Sequence, residues 1–338
     1  MDKEELWQVL KTVEFPGFPG KSVLGAVKEV TIAENGEIEI QLAIAHFGRK
    51  AHEQVANAIA SALEQNGALN IRFQIIEMPT PPVPEPEIVR KPIRRVLAVG
   101  SGKGGVGKST MSVNLAVGLA QQGLRVGLLD ADIFGPNVPR MLGVERLPSS
   151  ERRGIITPAE AYGVKFVSVG LLVENTRAVV WRGPMLDKIM HQFLRGVAWG
   201  ELDVLVVDLP PGTGDIPLSL AKHAEPDGAI VVVTPQEVAL DDARKAITMF
   251  RRLNIPIYGV VENMSYFICD KCDKRHTLFG EGGGEKLAHE MDMILLEQIP
   301  METSVREGGD SGQPAVLREG AAGDAFRALV TAMAEKMR

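Results

Sequence analysis

The chain has 338 residues, enough for two folded domains, and 45% of them are hydrophobic, enough for a large core. Its net charge is −6, from 37 basic and 43 acidic side chains, so the composition gives no indication of a nucleic-acid-binding surface. No apolar run reaches the roughly 18 residues of a membrane span, and the opening MDKEELWQVL does not resemble a secretory signal. Two cysteines are too few for a disulfide framework. We therefore expect a cytoplasmic protein with neither nucleic-acid nor membrane partners.

Residues 1–78 carry the patterns of a small α/β domain. Apolar side chains recur at helical spacing in 6–13 and 55–63, and they alternate as in strands in 38–44 and 71–75. The dipeptide Asn35-Gly36 precedes the first alternating segment, and it is a strong hairpin signal. Together these patterns predict the element order α-β-β-α-β.

Residues 79–93 are predicted to be a proline-rich linker. Six prolines in this segment prevent it from forming the interior of a helix or a sheet: Pro79, Pro81, Pro82, Pro84, Pro86 and Pro92. Such a stretch acts as a semi-rigid spacer that reaches roughly 40 Å when fully extended. The linker therefore separates the first domain from a second one at 94–338.

The second domain alternates short apolar runs with helical segments, which predicts an α/β fold: a mostly parallel sheet with helices on both faces. The candidate strands are nearly all continuously apolar, as expected for buried parallel strands: 96–99, 125–130, 164–169, 203–208, 228–233, 257–262 and 293–298. The last helix has an apolar stripe and few cations. We therefore expect it to dock on the sheet rather than on a membrane.

Residues 101–110 read SGKGGVGKST and match the phosphate-binding pattern G-x-x-x-x-G-K-[ST]. A short apolar strand precedes the loop and a helical segment follows it, as this motif requires. Glycines let backbone N–H groups close around phosphate oxygens, and the helix N-terminus adds partial positive charge. Lys108 is expected to reach the β- and γ-phosphates, and the Ser109 hydroxyl to coordinate Mg²⁺. The predicted nucleotide-binding residues of the loop are Gly102, Lys103, Gly104, Gly105, Val106, Gly107, Lys108, Ser109 and Thr110.

A second part of a nucleotide site follows the strand DVLVVD, which ends at Asp208. An aspartate in this position typically holds Mg²⁺, directly or through water. The next segment, LPPGTGD, contains Gly212 and Gly214, which permit a mobile loop able to sense a γ-phosphate. With the glycine loop, this arrangement indicates ATP or GTP.

The loop's first lysine, Lys103, completes the pattern K-G-G-x-G-K-[ST], which resembles the signature of the deviant-Walker class of P-loop ATPases. The resemblance implies a homodimer in which Lys103 crosses to the partner's nucleotide. A second cation near the γ-phosphate would neutralise charge that spreads in the transition state. A solvated loop lysine is the alternative that the sequence leaves open.

The same resemblance assigns further residues. Asp130-Ala131-Asp132-IFGP matches the class pattern D-x-D-x-x-G-P, which implies that Asp132 positions the attacking water. Asp130 is expected to have a structural or supporting role, such as capping the following turn. Asn263 follows a predicted strand at the place where the class binds adenine. The guanine signature N-K-x-D is absent from the sequence, so ATP is favoured. The predicted catalytic residues are thus Lys103, Lys108 and Asp132.

The two cysteines form a C-x-x-C pair, Cys269 and Cys272, which is half of a metal site. One interpretation is a [4Fe-4S] cluster that two subunits share, each giving both thiolates. A second is a structural zinc that Cys269, Cys272 and His276 help to bind, and a third is a redox dithiol. The segments ENMSYFxCxxC and REGGDSGQP (306–314) resemble the Mrp/ApbC iron–sulfur carriers, and this resemblance, which spans 94–330, favours the shared cluster.

The small first domain also resembles one that precedes the ATPase in such carriers and that occurs alone in cluster-assembly factors. That domain often has a cysteine before its second helix, whereas AHFGRKAH (45–52) has none, so we expect an interaction module without a metal.

The resemblance implies an ATP-hydrolysing, homodimeric carrier that delivers a [4Fe-4S] cluster to apo-proteins and meets cluster-assembly factors. One alternative is a partition or positioning ATPase that dimerises on DNA or membrane, with zinc at the C-x-x-C. Another is an electron donor like the nitrogenase iron protein, whose ligand cysteines lie far apart in sequence.

Overall fold

The computed structural model describes residues 2–14, 16, 22–33, 35–42, 49–75, 93–133, 135–148, 154–172, 183–269 and 271–337. The chain divides into two compact units, Met1–Glu85 and Pro86–Arg338. Residues 79–92 of the predicted linker lie outside the described residues, as do residues 45–48 of the AHFGRKAH segment. The last residue of the predicted linker, Ile93, begins the first strand of the second unit.

The first unit follows the order α-β-β-α-β. Its elements are α1 (Lys3–Thr12), β1 (Val27–Ile32), β2 (Ile38–Leu42), α2 (Arg49–Gln65) and β3 (Ile71–Ile75). The sheet order is β1-β2-β3, with β1 antiparallel and β3 parallel to β2. Gly36 has a φ of +79°, and the Asn35 side chain accepts a hydrogen bond from the N–H of Glu37 at 3.1 Å, so the predicted hairpin signal forms the turn.

The second unit contains a mixed sheet. Its strands are β4 (Ile93–Ser101), β5 (Val126–Asp130), β6 (Ala159–Ala161), β7 (Val164–Ser168), β8 (Leu202–Asp208), β9 (Gly228–Val233), β10 (Ile257–Ile268), β11 (Arg275–His276) and β12 (Leu295–Met301). Their order is β11-β10-β9-β4-β8-β5-β7-β6, and β12 also pairs with β10. Among the described strands of this second sheet, only the short strands β6 and β11 pair antiparallel with their neighbours. The predicted mostly parallel α/β sheet is confirmed.

Helices cover both faces of this sheet, because successive strand residues point to opposite sides and both sets are apolar. The helices are α3 (Lys108–Gln121), α4 (Val138–Met141), α5 (Val169–Leu172), α6 (Gly183–Arg195), α7 (Asp215–Ala224), α8 (Glu237–Arg252), α9 (Gly283–Glu290), α10 (Thr303–Ser311) and α11 (Ala321–Met337). Val96 and Ala98 of β4 belong to a core with α6, α7, α8 and α9, whereas Leu97 and Val99 belong to a core with α3 and α11.

The last helix packs on the body of the second unit, as its apolar stripe predicts. The five stripe residues are at most 2% exposed: Phe326, Leu329, Val330, Met333 and Met337. The helix contacts β12 and α3, and it lies so close to α3 that a Cβ at Gly118 would be 2.4 Å from the Val330 side chain. Among the described residues, no helix combines the length and apolar character needed to cross a bilayer.

The largest departure from the predicted strands is in β10, which runs to Ile268 instead of ending at residue 262. Its second half is interrupted by a bulge, where Met264 has a φ of +55° and the register with β12 shifts. Because of this irregularity, the second half of β10 lacks the period-two alternation by which strands are predicted from sequence. Asn263 therefore lies inside β10 rather than beyond its end.

We expect Phe326→Ala to destabilise the second unit by about 3–5 kcal/mol, because the change leaves a cavity under α11. Urea unfolding followed by circular dichroism measures this loss. Glu335→Ala, an exposed position of the same helix, is the control and should stay within about 0.5 kcal/mol of the wild type. Equal effects of the two substitutions would contradict the docked position of α11.

Candidate functional site

The predicted nucleotide-site residues come together where the parallel strands β4, β5 and β8 end. This is the edge at which ligands bind in open α/β sheets. The residues are the loop Gly102–Thr110, then Asp130 and Asp132 at the end of β5, Asp208 at the end of β8, Gly212 in the loop that follows, and Asn263 in β10. The cysteine pair follows the end of β10, which Asn263 precedes by five residues.

The glycine loop is held on two sides by close contacts that require glycine. A Cβ at Gly102 would lie 2.1 Å from the backbone of Asp242 in α8, and a Cβ at Gly107 would lie 2.1 Å from Nδ2 of Asn263. Gly105 and Gly107 have φ values of +81° and +87°, which ordinary side chains rarely adopt. The loop therefore has a defined backbone path that leads into the N-terminus of α3, a favourable position for phosphate.

Lys108 is the centre of a buried charge cluster. Its side chain is 6% exposed, and Nζ lies 2.9 Å from Oδ1 of Asp208 and 3.3 Å from Oδ2 of Asp132. The strands β5 and β8 are neighbours, with Asp130 directly opposite Asp208. Asp132 follows Asp130 by two residues, so the register of the sheet also brings Asp132 close to Asp208. The cluster places one cation between two anions at the end of the glycine loop.

Asp208 has one carboxylate oxygen that no described residue bonds. Oδ1 accepts hydrogen bonds from Lys108 and from the Ser112 hydroxyl, the latter at 2.7 Å, whereas the buried Oδ2 accepts none from the described residues. A buried anionic oxygen without a donor suits a hard cation such as Mg²⁺. Ser109, whose hydroxyl is 3.4 Å from Nζ of Lys108, adjoins this position, so the predicted Mg²⁺ ligands fit the site.

Ser112 is a site residue that sequence reasoning missed. It follows Lys108 by four residues in α3 and therefore lies on the same face of the helix. That spacing is the signal that would have pointed to it. Its hydroxyl orients Asp208 by holding Oδ1, so that the other oxygen remains available.

Burial, together with the nearby negative charge of Asp208, raises the pKa of Asp130 to about 8. Hydrogen bonds from the Ser168 hydroxyl, at 2.8 Å, and from the N–H of Asp132, at 3.2 Å, act in the opposite direction. Burial also raises the pKa of Asp132, and the positive charge of Lys108 opposes this shift. Asp130 thus supports the backbone of Asp132 and does not bond Lys108.

Lys103 and Gly212 lie on the open side of the glycine loop. Lys103 is half-buried and makes no ion pair with the residues that the structure describes. The N–H of Gly212 donates to the carbonyl of Ser101 at 2.9 Å, which joins the loop after β8 to the glycine loop. A role for Lys103 across a dimer interface stays a prediction.

Asn263 connects β10 to the glycine loop. Its Nδ2 donates to the carbonyl of Val106 at 2.9 Å. Beside it lies a cavity of about 530 Å³, lined by Gly107 and Thr110 on one side and by Met264 and Phe267 of β10 on another. Because this largely apolar cavity adjoins the phosphate loop, it has the position and size to hold the nucleoside part of a nucleotide. Binding of adenine by Asn263 stays a prediction.

The two cysteines occupy the turn between β10 and β11, where Cys272 is exposed and Cys269 partly buried. The N–H of Cys269 donates to the carbonyl of Lys274 at 3.0 Å, and the N–H of Asp273 donates to the carbonyl of Cys269 at 2.9 Å. Within the described residues, no three His, Cys, Asp or Glu side chains are grouped so as to hold a metal ion. A single chain thus presents two thiols on a tight turn.

The phosphate loop, its buried lysine and the aspartates at the ends of parallel strands define a P-loop nucleoside triphosphatase. A family model described as ParA, NUBPL iron-transfer P-loop NTPase, matches residues 92–337. Since this match covers well over half of the chain, the protein belongs to that family.

Several relatives support this assignment. An iron-sulfur cluster carrier protein of Helicobacter pylori is 40% identical over 325 residues, which cover 94% of this chain and 87% of the relative. Another from Synechocystis is 48% identical over 252 residues, 72% of this chain and 71% of the relative. A solved nucleotide-binding protein of Archaeoglobus fulgidus, in complex with ADP and with cobalt found in it, is 39% identical, with a TM-score of 0.60, and covers 69% of this chain and 92% of its own. MinD of Pyrococcus horikoshii, at 24% identity and a TM-score of 0.54 over 71% of this chain and 95% of its own, shows the fold alone.

We expect the stability gained by Asp130→Asn, relative to the wild type, to grow as the pH rises from 5 to 8. The raised pKa means that the folded state disfavours the ionised form, so the destabilising effect appears above the ordinary value of about 4 and is complete above about 8. Asparagine does not ionise, so the Asp130→Asn variant does not lose stability in this way. Urea unfolding at several pH values should show a relative change of about 1 kcal/mol or more. A difference that is constant or shrinks with rising pH would contradict the buried state of Asp130.

We expect Ser112→Ala to weaken divalent-metal binding in the nucleotide complex about tenfold, because Asp208 loses a charge-assisted hydrogen bond that orients it. Electron paramagnetic resonance of Mn²⁺ titrated into the ADP complex measures this affinity directly. Ser219→Ala is the matched control, since Ser219 is also buried and donates to an aspartate, Asp187, between α6 and α7. Unchanged Mn²⁺ affinity in Ser112→Ala would remove Ser112 from the site.

Proposed function

We propose that this protein is an ATP-hydrolysing carrier that binds a [4Fe-4S] cluster between two subunits and delivers it to apo-proteins. The observation that carries the proposal is the continuity of β10, which contacts the phosphate loop through Asn263 and ends in the turn with Cys269 and Cys272. The near full-length similarity to an iron-sulfur cluster carrier protein of Helicobacter pylori supports it.

The nucleotide site contains the groups that phosphoryl transfer needs. Catalysis of this reaction consists mainly of positioning and of neutralising negative charge on the γ-phosphate. Lys108 supplies a buried cation at the phosphate loop, and Asp132, within 3.3 Å of it, is placed to orient a water. Bound Mg²⁺, held by Ser109 and Asp208, would add charge neutralisation. The cavity beside the phosphate loop can hold a nucleoside, and the lack of the guanine signature N-K-x-D in the sequence favours ATP as the substrate.

A homodimer follows from the chemistry of the cargo. A [4Fe-4S] cluster needs four thiolates, and one chain has two cysteines, both on one turn. A twofold axis next to this turn would bring two such pairs onto one cluster. Lys103, which has no ion-pair partner among the described residues, would be available to the partner's nucleotide across the same axis.

Zinc is the other metal that this turn would accept, because two thiolates from each subunit also form a tetrahedral site. The cobalt found in the Archaeoglobus relative supports metal binding by a protein of this kind. The first unit, with no cysteine in the sequence, fits an interaction module for client proteins or assembly factors.

Anaerobic reconstitution should load about one [4Fe-4S] cluster per two chains, and the Cys269→Ala and Cys272→Ala variants should load almost none, because each removes two of four ligands from the dimer. The iron and sulfide contents and the charge-transfer absorbance of the cluster measure loading. Lys108→Ala is the control: it should load normally but lose ATP-dependent transfer to an apo-acceptor. Equal loading of the cysteine variants and the wild type would exclude the carrier function, and zinc binding without cluster loading would favour a structural site.

A further inference from the structure

A buried carboxylate in β10, Glu262, joins three segments of the second unit, β10, β12 and α9. Its side chain is 0% exposed. Oε1 accepts hydrogen bonds from the Ser265 hydroxyl and from Nε2 of Gln298 in β12, the latter at 2.9 Å, and Oε2 accepts from the N–H of Gly284 in α9. Burying a carboxylate is costly unless donors satisfy it, and here three donors do so. No step of the nucleotide chemistry uses this residue.

These hydrogen bonds hold the two ends of the segment that carries the cysteines. The segment begins after Ile268, the end of β10, contains the short edge strand β11, and ends at Gly283, the start of α9. Glu262 binds the first turn of α9 to β10, and a Cβ at Gly284 would lie 2.8 Å from the Cβ of Glu262. Glu262 therefore joins the start of α9, which follows the cysteine segment, to β10, which precedes it.

The bulge of β10 lies between the nucleoside cavity and the cysteine turn. Asn263 is opposite Ile299 of β12, whereas Phe267 is opposite Met301, so β10 contains two more residues than β12 over this interval. Met264 and Phe267 line the cavity next to the glycine loop, and Phe267 is two residues before Cys269. A ligand that fills the cavity thus touches the bulge directly. Ser265, within the bulge, is bonded to Glu262.

We propose that β10 transmits the nucleotide state of the phosphate loop to the cysteine turn, and that Glu262 is the positioning residue that makes the bulge, α9 and the turn move together. The inference rests on the proposed function, since the turn is taken to be the cargo site. Asn263 and Cys269 are six residues apart, roughly 20 Å along an extended strand. Both sites therefore bias the same short element, which is the physical requirement for coupling between them.

Thiol labelling tests the inference without any cluster, because Cys269 and Cys272 are the only cysteines of the chain. The full-length apo-protein is reacted with 4,4′-dithiodipyridine, and the rate is followed by absorbance in the absence of nucleotide, with Mg-ADP and with a non-hydrolysable ATP analogue. We expect nucleotide to change the rate about threefold or more, within the range of local coupling effects.

Glu262→Gln keeps the shape of the side chain, removes its charge and replaces one of the two accepting oxygens by an NH2 group that cannot accept a hydrogen bond. We expect it to bind nucleotide with wild-type affinity but to lose most of the nucleotide effect on labelling. Asp227→Asn is the matched control, because Asp227 also joins two segments through hydrogen bonds, to Arg95 and the N–H of Val96, at the opposite end of the sheet. It should retain the full effect.

Two results would overturn the inference: a wild-type labelling rate that is the same with and without nucleotide, or a full nucleotide effect in Glu262→Gln. If Glu262→Gln unfolds, Ser265→Ala replaces it as the test, because this variant removes only one donor to Glu262. It should preserve the fold and reduce the effect of nucleotide on the labelling rate; a full effect would overturn the inference. Cluster loading, measured separately, decides the proposed function, so the two failures are distinguishable.

Discussion

The arrangement of the nucleotide site depends on one interaction, the burial of Lys108 between Asp132 and Asp208. A buried charge is stable only when opposite charges and hydrogen bonds compensate it. The cluster requires the ends of β5 and β8 to lie side by side, which the parallel register provides. It also holds the first turn of α3 against the sheet, so the same cluster of three side chains fixes the phosphate loop, the end of β8 and the loop after β5.

Much of the fold was predictable because the relevant signals are local. Continuous apolar runs identified the buried parallel strands, and the glycine pattern between a strand and a helix identified the phosphate loop. The predictions failed where local signals are weak. The strands β6 and β11 have only three and two residues and no period to detect, and a bulge at Met264 concealed the second half of β10.

In the functional site, too, residues in local motifs were predicted and residues with distant partners were not. The sequence predicted Lys108, Asp132 and Asp208 from motifs that follow strands, and the structure brings them together. It did not predict Ser112 or Glu262, because their partners are distant in sequence and only the folded sheet reveals the contact. The roles proposed for Lys103 and for the two cysteines require a second subunit, and their only support in the sequence is the family resemblance.

The close contacts on both sides of the glycine loop have a further consequence. Gly102 abuts the backbone of α8 and Gly107 abuts Asn263, so the neighbouring elements already hold the loop in its path. A preorganised loop loses little conformational entropy when a ligand arrives, and affinity for phosphate is correspondingly greater. Such a loop has little freedom to move. We therefore expect any difference between nucleotide states in the segments around it, after β5, after β8 and along β10.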